Sequence, residues 1–114
     1  MSQFSPTGGS SQLTGSVNVG GATGHAIANI SMVAADTEYS FVLPATTRAF
    51  VLKLRNLDGK AAVLRIYETS GGVPYLTVNP GGLYSRTDML LASSLSIYIQ
   101  SNLAGRVAEL EYWY

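Results

Sequence analysis

From residue 28 onward, apolar residues recur at every second position in short runs, and each run ends in a cluster of turn formers. The run "FVLKLR" (50–55) puts Phe50, Leu52 and Leu54 on one face and Val51, Lys53 and Arg55 on the other. "NISMVA" (29–34), "EYSFVL" (38–43) and "AVLRIYE" (62–68) read as strands, as do "YLTV" (75–78), "LYSRTDM" (83–89), "LSIYIQ" (95–100) and "VAELEYW" (107–113). In the run 62–68, Leu64 and Ile66 face inward and Arg65 and Tyr67 outward. No stretch carries a sustained 3.6-residue period, and "TDMLLASS" suffices for one helical turn at most. The pattern predicts an all-β fold of about seven or eight short strands, an antiparallel β-sandwich or jelly roll.

The turn residues suggest how the strands connect. Asp58-Gly59 within "NLDGK" predicts a hairpin, and "TSGGVP" and "NPGG" reverse the chain again. The last two runs read as a closing hairpin around "SNLAGR", with Gly105 left-handed. If Leu95, Ile97 and Ile99 face the core, the paired strand points Ala108, Leu110 and Tyr112 the same way. Val107, Glu109, Glu111 and Trp113 then face outward beside Tyr98, with Trp113 either buried under the N-terminal arm or offered to another subunit.

Ahead of this body lies a segment of different character. Residues 1–35 contain no Asp, Glu, Lys or Arg, and up to Gly24 the chain is mostly Gly, Ser and Thr. Phe4, Leu13, Val17 and Val19 are scattered without a period, so this stretch builds no core of its own. The expected organisation is an extended Gly/Ser-rich N-terminal arm over 1–27 and a β-sandwich domain over 28–114. A chain of 114 residues suits one such domain, large enough to fold without disulfides or metals.

Charge narrows the partners. Seven basic and seven acidic residues cancel, which argues against a nucleic acid or an anionic membrane. Charged residues make up 12% of the chain, about half the usual share, and such a surface favours association. No secretory signal and no apolar run long enough for a membrane span is visible.

Chemistry finds few candidates. The chain has no Cys and one His, His25, which falls in the arm without a fixed partner, so a zinc site lacks ligands. Glu109 and Glu111 stand about 7 Å apart on one strand face, a spacing within the roughly 5–9.5 Å of glycosidase pairs. They occupy a flat face, however, where pairing with Arg65 or Arg106 is the simpler expectation. The Gly pairs at 71–72 and 81–82 lack the Lys-Ser/Thr and helix of a phosphate loop, and Asp36, Asp58 and Asp88 are isolated. The expectation is a protein that is no enzyme and uses no cofactor, metal or small-molecule substrate. The candidate interface residues are Phe4, Leu13, Val17, Val19, Tyr67, Tyr98, Trp113 and Tyr114.

"EYSFVLPATTRAFVLKLRN", "LRIYETSGG" and "LSIYIQSNLAGRVAELEYWY" together resemble small β-sandwich structural proteins of tailed bacteriophages. In that group a strand ending in Leu-Pro and leading to a Phe-rich strand precedes a closing hairpin of the kind "YxQS..AG.v.E...W". The likeness covers about residues 36–114 and rests on packing and turn positions. It implies a virion protein assembled in the host cytoplasm: a capsid decoration (cement) protein, or a neck, tail or fibre component. Its partners would be further copies of itself, the major capsid protein or other virion subunits. A carbohydrate-binding module, stacking sugars on Tyr67, Tyr98 and Trp113, is the expectation from a different class.

Overall fold

The computed structural model describes residues 21–55 and 60–114, and among these it contains no helix. Eight strands follow in order: β1 (His25–Met32), β2 (Tyr39–Leu43), β3 (Ala49–Leu54), β4 (Leu64–Tyr67), β5 (Leu76–Val78), β6 (Leu83–Arg86), β7 (Leu95–Ser101) and β8 (Arg106–Trp113). Each overlaps one of the eight runs read from the sequence, because alternation lets a strand bury one row and leave the other in water. β1 begins at His25 and so draws residues 25–27, placed in the arm by composition, into a sheet. "TDMLLASS" forms no helical turn.

The strands make two four-stranded antiparallel sheets. Sheet A has the order β1-β8-β3-β6 and sheet B the order β2-β7-β4-β5. Only β4 and β5 are both consecutive in sequence and paired. The expected closing hairpin is therefore corrected: β7 lies in sheet B and β8 in sheet A. Gly105 is left-handed as expected, with φ 69°, but its N–H donates to the Val33 carbonyl beyond β1. The "NLDGK" segment likewise links β3 of sheet A to β4 of sheet B rather than two paired strands; Asp58 and Gly59 themselves lie outside the described residues. Turn residues reverse a chain equally well within a sheet or across to the facing one. Crossing wins where it lets both inward rows bury against each other.

That burial produces one core shared by the two sheets, a sandwich-like arrangement. Sheet A contributes Met32, Phe50, Leu52, Ala108 and Leu110, and sheet B contributes Leu43, Leu64, Ile66, Val78, Ile97 and Ile99. Ile97 and Ile99 thus belong to the same core as Ala108 and Leu110, but come to it from the other sheet. Burying one such large side chain is worth about 1.5–3 kcal/mol, more than a typical surface ion pair at about 1 kcal/mol or less. The inward rows therefore set the fold, and the outward rows are left to interact.

Candidate functional site

The only tryptophan occupies a corner of sheet A where the two ends of the described body meet. Thr23 and Gly24 N–H groups donate to the Tyr114 carbonyl at 2.6 and 2.7 Å, and the Tyr114 N–H returns a bond to the Gly24 carbonyl at 3.0 Å. On the other side, the Arg48 N–H donates to the Trp113 carbonyl at 2.7 Å. A Cβ at residue 24 would stand 2.6 Å from the Tyr114 ring, so any larger residue there would require that tyrosine side chain to move. The His25 ring packs 5.2 Å from Trp113, and its Nε2 lies 2.8 Å from Glu111 Oε2. His25 thus has fixed partners, contrary to the expectation of a solvated arm residue, because β1 aligns it opposite Trp113. Trp113 is half-buried, and its Nε1 is buried with no hydrogen-bond partner among the described residues.

The outer face of sheet A continues from this corner as cross-strand rows. Ile27, Glu111, Val51 and Ser85 form one row, and Asn29, Glu109, Lys53 and Leu83 the next. Glu109 Oε2 accepts from Arg55 Nε at 2.7 Å, and Oε1 lies 3.6 Å from Lys53 Nζ. The hydrogen bond from Arg55 holds the Glu109 carboxyl below the ordinary carboxylate range despite the opposing effect of burial, and the charges of Arg55 and Lys53 add to this. The expected partners Arg65 and Arg106 are corrected. Arg65 lies on sheet B and pairs with Asp36 at 3.2 Å, while Arg106 is buried on the inward row of β8. A shallow depression of about 370 Å³ lies over these rows, with Glu109 and Glu111 side by side in it and no opposing wall.

Sheet B carries a different outer face. Tyr67 and Tyr98 are opposed in register, so Tyr98 stands on the far side of the molecule from Trp113, which corrects their expected adjacency. Tyr67 packs 5.3 Å from Tyr75 and its hydroxyl accepts a hydrogen bond from Gln100 Nε2. The Arg65 guanidinium sits 5.7 Å from the Tyr75 ring centre, within cation–π range. Glu38 fastens the β4–β5 turn by accepting from the Gly71 N–H and the Ser70 hydroxyl, both at 2.7 Å. Those bonds, Gly71 first, lower the Glu38 carboxyl below its ordinary value.

Between the short edge strands β5 and β6 the sandwich opens into a cleft of about 470 Å³, lined by Phe50, Ile66, Tyr67, Tyr75, Tyr84 and Arg86 among others. Its size and aromatic lining fall within the range of small-ligand sites. Sequence reading missed Tyr75, Tyr84 and Arg86, because what joins them is the opening between two sheets. It missed Arg55 and Lys53 as the partners of Glu109 for a related reason: β3 and β8 are neighbours only through a long-range pairing.

The predicted interface residues therefore do not form one surface. Trp113 and Tyr114 share the corner of sheet A, with the Tyr112 ring 5.8 Å from that of Tyr114. Tyr67 and Tyr98 share the outer face of sheet B. Phe4, Leu13, Val17 and Val19 lie outside the described residues. No group of three or more His, Cys, Asp or Glu side chains able to hold a metal occurs among the described residues. Comparison with known proteins finds no matching family model and no matching curated protein.

Proposed function

We propose that this chain is a non-enzymatic virion structural protein of a tailed phage, and specifically a capsid decoration protein that stabilises the head lattice. The observation that carries the reading is the strand order, β1-β8-β3-β6 facing β2-β7-β4-β5. In a jelly roll, two Greek keys fold eight strands into two facing sheets, an architecture used by viral capsid and lectin domains. The order here fits that description, and the fit supports the finer fold expectation. Fold alone assigns no function, so the reading also leans on the phage-like segments over 36–114 and on the low surface charge. An uncharged N-terminal arm, leaving the body beside Trp113, would reach neighbouring subunits and raise their effective concentration. A neck, tail or fibre position is the alternative within the same class.

The direct test is the protein inventory of purified particles from the phage that encodes the chain. A copy number on the scale of the head lattice, with the chain on the head exterior by electron microscopy, is the expected result. Absence from the particle would overturn the proposal, and a copy number matching a single vertex or the tail would move it to the alternative. In the same reading, His25→Ala, Glu109→Ala and Glu111→Ala produce no catalytic phenotype.

The cleft between β5 and β6 favours a second reading, a carbohydrate-binding module. Tyr67, Tyr75 and Arg86 line the cleft and Arg65 lies against the Tyr75 ring, residue types suited to stacking on a sugar while bonding its hydroxyls. Glycan-array binding that disappears in Tyr75→Ala would favour it. A uniformly negative array would remove it.

A further inference from the structure

Among the described residues the two sheets have four edge strands, and these are guarded very unequally. On sheet B, β5 is three residues long with Pro74 and Pro80 close to its ends, and β2 lies between Glu38 and Pro44. On sheet A, β6 has four residues and ends on exposed Arg86. Short length, proline and charge are the devices by which exposed edges avoid pairing with other chains. β1 has none of them. It runs for eight residues, HAIANISM, without Pro, Asp, Glu, Lys or Arg. Its register with β8 is unbroken from His25↔Trp113 to Met32↔Arg106, so no bulge twists it away. Ile27, on its outward row, is 69% exposed.

We propose that β1 is a dimerisation edge: the β1 strands of two copies pair antiparallel about a twofold axis and join two sheets A into one continuous sheet. The occupant is argued from where the chain runs and from the strand itself. Before β1, the backbone at Gly21 passes the Arg48 side chain, where an added Cβ would lie 3.2 Å from Nε. Arg48 precedes β3, across β8 from the free edge, so the described N-terminal residues lead away from that edge. A second copy meets no like-charge row along β1, which removes the usual penalty against self-pairing.

Geometry restricts the register. Opposed residues of an antiparallel pair share a face, so the axis must pass at a residue and not between two. Centred on Ala28, it sets His25 opposite the second copy's Ser31, Ala26 opposite Ile30, and Ile27 opposite Asn29. The two Ile27 side chains then lie diagonally across the axis, within reach of each other at roughly 7–8 Å. This inference does not rest on a virion role, since it concerns the chain alone in solution.

Sedimentation velocity of the full chain over a concentration series tests it. The wild type is expected to form a dimer. Ile27→Lys, and independently Ser31→Lys, should raise the dissociation constant at least about tenfold with unchanged circular dichroism. Val42→Lys, an exposed position on the guarded edge β2, should leave the dimer intact. Amide hydrogen exchange should show protection along residues 25–31 that grows with concentration in the wild type and not in Ile27→Lys. A wild type that stays monomeric overturns the proposal, as does a dimer that survives both β1 lysines. Concentration-independent protection of those 25–31 amides that point away from β8 would mean the chain covers its own edge, and would equally refute it. A dimer broken by Val17→Lys but not by Ile27→Lys would assign the contact to the arm and refute the β1 pairing.

Discussion

On the outer face of sheet A, Glu109 sits between Arg55 and Lys53, and Glu111 meets His25. On the outer face of sheet B, Tyr67 lies against Tyr75, Tyr98 stands opposite Tyr67, and Arg65 reaches both Asp36 and the Tyr75 ring. Both faces come from strands with the same period, yet they offer partners different things. The charges of sheet A already satisfy one another, so a partner covering them would have to desolvate ion pairs for little return. The rings of sheet B can be covered at low cost. An aromatic side chain can remove about 150–250 Å² from water on full burial, several kcal/mol at roughly 25 cal/mol per Å² before ordering costs. Tight, salt-insensitive binding is therefore expected from the tyrosine face and from the Trp113 corner, and weak, salt-sensitive effects from the ion-paired rows.

The sharpest challenge to this contrast is Trp113, an aromatic on the charged side. Trp113→Ala should leave a folded domain but lower its stability by about 2–3 kcal/mol, below the range of fully buried sites because the ring is half-buried. Urea titration measures this. A loss under about 0.5 kcal/mol would mean that the corner contributes nothing to the body and serves partners alone.

On sheet B, Tyr67→Phe removes the hydroxyl that accepts from Gln100 and should cost about 1 kcal/mol. The cost should be the same in low and high salt. A strong salt dependence would show that this face is governed by charge after all.

Glu109→Gln should cost less, about 0.5–1 kcal/mol, and here salt and pH both matter. The folded-state carboxyl titrates below its unfolded value of 4.5, so the unfolded chain binds the extra proton in that window. The stabilisation is complete above 4.5 and is lost as pH falls through the folded value. Melting curves of wild type and variant should therefore converge on acidification or in high salt; a gap constant across both would remove the electrostatic account.

The smallest effect belongs to Tyr75→Ala. The ring is 51% exposed and adds only its contacts with Tyr67 and Arg65, so stability should change by about 0.5 kcal/mol. A larger destabilisation would make Tyr75 part of the body and not a residue held ready for a partner.

Much of this architecture was legible in the residues. All eight strands overlap runs read from the sequence, and the inward positions of Leu52, Leu64, Ile97, Ile99 and Leu110 follow from the period alone. The allocation of strands to sheets was not legible. The "SNLAGR" turn says that the chain reverses after β7, but nothing local says that β8 will insert between β1 and β3. His25 was misjudged because Ala26 and Ala28, which alternate with it, are too small to announce a buried row. Glu109 and Glu111 were correctly placed on an outward row, but their partners come from strands distant in sequence.

The position of β8 has a consequence for the order of folding. It is the central link between the first strand and the third, and its residues come last. During synthesis at roughly 5–20 residues per second, β1 and β3 emerge seconds before the strand that joins them. Sheet A cannot assemble progressively; β1 and β3 are joined only once β8 has been made, through contacts of high sequence separation, which makes folding slow. Throughout that wait β1 lacks its pairing with β8. A nascent chain stalled just before Arg106 should therefore be held by chaperones or aggregate, and release of the last strand should be the step that rescues it.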